Sequence, residues 1–161
     1  MEETLRTKLT ELLDIKYPIL QGAMAWVSEA HLAAAVSNAG GAGIIGTGGR
    51  DVSWVKEQIE LARKLTDKTF GVNVMLQDKD KDEKIDLIFK EKVSFVTLGA
   101  GNPVPYIEKF KEAGIKVIPV VPNIKLAKRV EDSGADAIII EGMEAGGHIG
   151  KLTSLSLMTQ V

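Results

Sequence analysis

The chain has 161 residues, 45% hydrophobic and 26% charged, which is enough apolar content for a core, and no run reaches the roughly 18 apolar residues of a bilayer span. A formal net charge of −2 gives no support for nucleic-acid binding or for a polybasic membrane anchor. The absence of cysteine excludes disulfides, thiolate metal sites and a cysteine nucleophile. A reducing cytoplasm is the expected compartment, and the opening MEETLRTKLTELLDIKYP lacks the continuous apolar stretch of a signal peptide.

PILQGAM (18–24) is a short apolar run that fits a buried strand, followed by a helix over 28–40 with Ser28 as N-cap and Gly40 as stop. AGIIGTG (42–48) reads as a second strand. VSWVKEQIELARKL (52–65) places Val55, Ile59, Ala62 and Leu65 at helical spacing. FGVNVML (70–76) is a third strand, and the charged QDKDKDEK leads into a helix with Ile85, Ile88 and Phe89 on one face. VSFVTLG (93–99), a helix over 105–113, KVIPVVP (116–122) and a helix over 123–134 continue the alternation, the last with Asn123 as cap and Gly134 as stop. ADAIIIEG (135–142) is a sixth strand, and SLSLMTQV begins another helix.

Strand and helix thus alternate in a βα repeat. The strands are apolar on both faces, as parallel strands covered by helices should be. An open doubly wound sheet and a (β/α)8 barrel both satisfy this pattern, and both place their site at the carboxyl ends of the strands, where the glycines cluster. Eight βα units usually need about 250 residues. Only six are present, so either the sheet is open or the chain is a fragment of a barrel, a single domain over 1–161 that supplies about six units and is incomplete at its C-terminus.

Gly41, Gly43 and Gly46 spell G-x-G-x-x-G, but they precede and enter a strand instead of joining a strand to a helix. The dinucleotide fingerprint is rejected on that context in favour of a tight turn and close helix–strand packing. GTGG (46–49) does follow a strand, so its N–H groups either face a bound ring or phosphate or make a plain turn. Asn73 interrupts an apolar strand and Gln21 ends one; each amide needs partners, from a ligand or from neighbouring backbone. Glu141 ends AIII, facing either a barrel mouth or solvent. His31 lies mid-helix without neighbours at ligand spacing and reads as a surface or packing residue, as Trp26 and Trp54 read as packing residues. His148 stands among Gly146, Gly147 and Gly150 just beyond a buried strand, where an imidazole can move protons near neutral pH. No metal-ligand spacing is present.

The segments YPILQGAMAWVSEAHLAAAVSNAGGAGIIGTG, FGVNVML, VTLGAGNP, VIPVVPN and GADAIIIEGMEAGGHIGKLTSL together resemble the flavin-dependent enoyl-acyl-carrier-protein reductase II family, in order and spacing, from about residue 5 onward. Nitronate monooxygenases share the QGAM-like start and the E-G-x-E-A-G-G-H block, whereas AWVS, GAGNP and EGMEAGGHIGKLT look more like the reductase branch. The resemblance implies a TIM (β/α)8 barrel with FMN at its carboxyl-end mouth. It implies that Gly22, Ala23 and Met24 lie against the flavin ring, that Gly46, Thr47 and Asn73 contact the ring or ribityl chain, and that Glu141, Gly146 and Gly147 line the same pocket. His148 matches the family's proposed catalytic histidine. The implied reaction uses NADH or NADPH to reduce the 2,3 double bond of an enoyl thioester on acyl carrier protein in fatty-acid biosynthesis, with His148 donating a proton at the α-carbon or polarising the thioester carbonyl. In a monooxygenase acting on nitronates the same histidine would take a proton from a nitroalkane or assist nitronate binding. A non-catalytic half-barrel is the alternative of another class. Unpaired edges on the first and sixth strands are a template for association, which leaves a homodimer open.

Overall fold

Residues 5–161 are described by a computed structural model; residues 1–4, part of the stretch expected to carry no leader, lie outside the described residues. In chain order the elements are α1 (Lys8–Leu13), α2 (Ala30–Asn38), β1 (Gly43–Gly46), α3 (Val52–Leu65), β2 (Phe70–Met75), α4 (Lys81–Glu91), β3 (Phe95–Gly99), α5 (Val104–Glu112), β4 (Lys116–Val121), α6 (Ile124–Asp132), β5 (Ile139–Ile140) and α7 (Ser154–Met158). All four strand pairs are parallel, and the spatial order β1-β2-β3-β4-β5 repeats the order in sequence. A doubly wound sheet reverses its order at a switch point. This one never does, so the α/β architecture is that of a TIM-barrel portion, a half-barrel with its helices on the outside. Among the described residues no helix is long and apolar enough to cross a membrane.

Five strands form where six were expected, and the reason is chemical. The segment 18–24 contributes a single parallel bridge, Leu20 to Ala42. Beyond it the side chain of Gln21 takes over the ladder. Its Oε1 accepts from Ile44 N–H (3.2 Å) and its Nε2 donates to Ile44 C=O (3.3 Å), so the main chain of 22–24 is free to lift off the sheet. The expected strand over 135–142 shrinks to two residues in a related way. Asp136 N–H donates to Val117 C=O (3.0 Å) and its own carboxylate accepts from Val117 N–H (2.8 Å). Both edges expected to template association are therefore short, which is one way natural sheets blunt them.

Side chains alternate across each strand, and each face buries its own layer. Outward, Ile45, Val72, Val74, Val96, Leu98, Val117 and Val121 meet the apolar stripes of the helices, among them Val55 and Ile59 of α3, Ile85 and Ile88 of α4, Ile107 and Phe110 of α5, and Val130 of α6. Inward, Ala42, Ile44, Phe95 and Ile118 pack around Leu13 of α1, which plugs the amino end of the half-barrel. At about 1.5–3 kcal/mol for each fully buried aliphatic side chain, the larger outer layer supplies most of the stability. The inward carboxyl ends can then stay open without unfolding the sheet.

Local signals explain the element ends. Asn123 caps α6 as expected, its Oδ1 accepting from Leu126 N–H (2.9 Å), and Gly134 beyond it is left-handed at φ +82°. Ser28 is not the cap of α2. Glu29 holds that position without a side-chain bond, while Ala30 N–H donates to Gln58 of α3 (2.9 Å) and the Ser28 hydroxyl turns into the preceding loop. Gly43 of the rejected fingerprint does pack helix on strand, because a Cβ there would collide with the carbonyl of Ala33 in α2, whereas Gly46 faces the Met24 backbone. Gly43→Ala is expected to lose about 3 kcal/mol, the upper end of overpacking costs, in urea unfolding; a loss under about 0.5 kcal/mol would show that α2 yields easily and that the close approach is incidental.

Candidate functional site

The carboxyl ends of the strands surround a cavity of about 420 Å³. Its floor is built by pairing register. Gly46 stands beside Asn73, and Asn73 beside Thr97, so one row of inward residues crosses β1, β2 and β3. Met75, Gly99, Val120 and Glu141 add further inward positions, and Gly22, Ala23 and Ala25 on one side and the segment 145–148 on the other wall it.

Of the residues singled out in the sequence, Gly22, Ala23, Gly46, Asn73, Glu141, Gly146, Gly147 and His148 are brought together around this cavity. Met24 and Thr47 are not in its wall. Met24 is 44% exposed, and its backbone lies under Gly46, where a Cβ would sit 3.3 Å from the Met24 carbonyl oxygen. Thr47 is fully buried; both its hydroxyl (2.7 Å) and its N–H (3.3 Å) donate to Asn73 C=O, so it braces Asn73 from behind. His31 is exposed on α2, away from the cavity wall. Thr97, Met75 and Val120 were not singled out, although stepping by two from Asn73 reaches Met75.

Both amides in question have protein partners. Asn73 Nδ2 donates to Thr97 Oγ1 (2.9 Å), which fixes its plane, while among the described residues its Oδ1 accepts nothing. Gln21 Nε2 also donates to Ser28 Oγ (2.8 Å) and Gly22 C=O (2.6 Å), and Ser28 Oγ accepts from Met24 N–H (2.8 Å). Gly46 N–H donates to Ser28 C=O (2.8 Å). These bonds hold the 22–28 loop over the end of β1. Two N–H groups of GTGG are thereby spent inside the protein, Gly46 on Ser28 and Thr47 on Asn73.

The adjoining loops are fastened by a buried cation. Lys84 of α4 is fully buried, and its ammonium donates to Asp78 (2.7 Å), pairs with the carboxylate of Asp80 (2.8 Å) and donates to Thr47 C=O (3.1 Å). The first two partners lie between β2 and α4, and the third lies just after β1.

The block EGMEAGGHIG forms a closed loop. Met143 N–H donates to Leu152 C=O (2.8 Å) and Gly150 N–H to Gly142 C=O (3.3 Å). Glu144 accepts from Ser154 N–H (2.9 Å) and from the Ser154 hydroxyl, and these hydrogen bonds, the hydroxyl's foremost, hold its carboxyl below the ordinary value. Gly142 and Gly150 leave room that a side chain would fill, since a Cβ would strike Glu144 and Ser154 N in one case and Glu141 C=O in the other. Gly146 and Gly147 differ, with nothing within 4 Å of a Cβ at either. The Glu141 carboxyl is pushed above its ordinary value of 4.5 by burial, partly opposed by the charge of His148, which stands exposed at the end of the wall.

Three comparisons place this geometry. The nitronate monooxygenase family model matches residues 6–84 and 79–161, and the chain belongs to that family. A FabK structure from Thermotoga maritima is 51% identical with a TM-score of 0.96, covering 98% of this chain and 51% of that one. A nitroalkane oxidase structure from Streptomyces ansochromogenes is 30% identical with a TM-score of 0.87, over 96% of this chain and 57% of that one. A (3aS,4S,5R,7aS)-5-hydroxy-7a-methyl-1-oxo-octahydro-1H-indene-4-carboxyl-CoA dehydrogenase from Rhodococcus jostii is 39% identical over 158 residues, 98% of this chain and 45% of that protein. The chain spans about half the length of the relatives it matches.

Two outcomes follow from the charges. Lys84→Met leaves two aspartates beside an unanswered carbonyl and is expected to cost about 3–5 kcal/mol in denaturant unfolding; a neutral result would mean the triad carries no stability. For Glu141, a folded pKa above the unfolded one makes the native state the better proton binder, so its ionisation opposes folding as pH rises from about 4.5. Glu141→Gln is therefore expected to raise Tm at pH 7 and to leave it unchanged near pH 4, and equal shifts at both pH values would contradict the assignment.

Proposed function

We propose that this member of the nitronate monooxygenase family forms the flavin-binding half of an FMN-dependent enoyl-thioester reductase that uses NADH or NADPH. The observation that carries the reading is the slot at the cavity wall. His148 stands at its end, Gly22, Gly146 and Gly147 offer bare backbone along its sides, and Asn73 presents an unspent carbonyl oxygen from the floor. A flat heteroaromatic ring with donors and acceptors on its edge fits such a slot, and the cavity is of the size that small-molecule sites have. Support for the reductase branch is the 51% identity to FabK against 30% to the nitroalkane oxidase, together with a 39% identical relative whose name is that of a carboxyl-CoA dehydrogenase.

In this reading Gly22, Ala23, Gly46, Asn73, Glu141, Gly146 and Gly147 hold FMN, with Met24 and Thr47 supporting Gly46 and Asn73 from behind. FMN, when bound, supplies the hydride chemistry between a nicotinamide and the β-carbon of a 2-enoyl thioester. His148 holds the proton that the α-carbon needs, or donates a hydrogen bond to the thioester oxygen, where negative charge develops. The acyl group arrives on acyl carrier protein, and both partners meet in the cytoplasm.

His148→Ala is expected to lower turnover with crotonyl thioester and NAD(P)H by about 10²–10⁴-fold, while the flavin absorbance of the purified protein stays in place. An unchanged rate would remove His148 from the reaction. Oxygen consumption with nitroalkanes, without thioester-dependent NAD(P)H oxidation, would instead establish the nitronate monooxygenase reading, in which the imidazole takes the substrate proton.

A further inference from the structure

Arg50 is held in an unusual way. Its guanidinium carbon lies 3.9 Å from the ring centroid of Trp26 and 4.5 Å from that of Trp54, so the cation is stacked between two indoles. Among the described residues no carboxylate comes within salt-bridge distance of it, and its Nε is buried with no hydrogen-bond partner. The carboxylate next in sequence, Asp51, is already committed, accepting from Trp54 N–H (2.8 Å) and the Ser53 hydroxyl (2.6 Å) at the start of α3.

The stack is assembled at a conformational cost. Trp26 adopts φ +67°, a left-handed backbone that a bulky L-residue rarely takes. Gly49, itself at φ +71°, lies beneath the ring, which a Cβ there would meet at 3.4 Å. Both loops concerned reach the cavity lining. Ala25 precedes Trp26 and lines it, as does Gly48, two residues before Arg50. Trp26 itself is 65% exposed, so one plate of the stack faces outward at the rim.

Aromatic faces hold a cation in place but leave its N–H groups without acceptors in the plane. A planar guanidinium oriented in this way is suited to bidentate contact with a phosphate. We propose that Arg50, clamped between Trp26 and Trp54, is an anion-binding residue at the rim of the cavity and takes a phosphate group carried by a reactant. The choice of phosphate rests on the reductase reading, in which the acyl-carrier arm and the nicotinamide nucleotide both carry phosphates.

The chain contains two tryptophans, and both flank Arg50, so intrinsic fluorescence of the flavin-loaded protein reports on this place directly. Inorganic pyrophosphate is expected to change that fluorescence saturably and less strongly at high salt. Pantetheine 4′-phosphate tested against pantetheine, and adenosine 2′,5′-bisphosphate tested against adenosine, identify which reactant's phosphate is read. Arg50→Gln is expected to weaken the responding phosphate ligand at least tenfold and to raise the matching KM with little change in kcat, and Arg50→Lys should recover part of the loss. Equal responses to phosphorylated and dephosphorylated ligands in the unmodified protein would overturn the proposal without any variant, as would titration curves unaltered by Arg50→Gln. Failure of thioester reduction, with an Arg50-dependent pyrophosphate response intact, would count against the reductase reading and not against the anion site.

Discussion

One buried ammonium sets the geometry around the cavity. Lys84 rises from α4 behind the sheet and reaches between two loops, binding Asp78 and Asp80 on one side and the carbonyl of Thr47 on the other. Thr47 in turn holds Asn73, and Asn73 holds Thr97. The chain of bonds runs from a helix outside the half-barrel to the floor of the site within it. A charge taken out of water is tolerated only when its partners are close and well placed. The loops after β1 and β2 are therefore confined to positions that satisfy that charge, and the floor inherits their order.

Much of this fold is legible in the sequence because it follows from periodicity. The outer helices display their apolar stripes at regular spacing, and strands apolar on both faces require cover on both sides, which Ile44 and Ile45 receive from different layers. The choice between barrel and open sheet is not local. It depends on which strand lies beside which, and spacing does not encode that. Lys84 is hidden for another reason. Within KDKDEK it looks like one more solvated charge, and only the packing of α4 turns it inward. The start of α1 is hard to read from sequence for a third reason, with Thr7 and Thr10 bonding each other reciprocally where a Glu or Gln would be the recognisable partner.

The site was legible in part. Glycines near strand ends marked the cavity, but the letter G does not distinguish their duties. In EGMEAGGHIG, Gly142 and Gly150 are small because other atoms crowd them, whereas Gly146 and Gly147 are bare toward open space. Only the middle pair faces a ligand-sized volume, and His148 follows it directly. Thr47 shows the converse. A residue named for contact with a ligand turns out to stand one bond behind the surface, bracing the main-chain carbonyl of Asn73.

The substitution of a side-chain amide for main chain at Gln21 has a consequence for sequence change. A strand pairs through backbone that every residue except proline provides, so its hydrogen bonds do not depend on which side chain is present. The seam at Ile44 instead requires an acceptor and a donor carried in that order on one flexible arm. Glutamate has nearly the same shape but presents an oxygen to the Ile44 carbonyl, turning attraction into repulsion, and a shorter asparagine arm has one methylene less with which to reach.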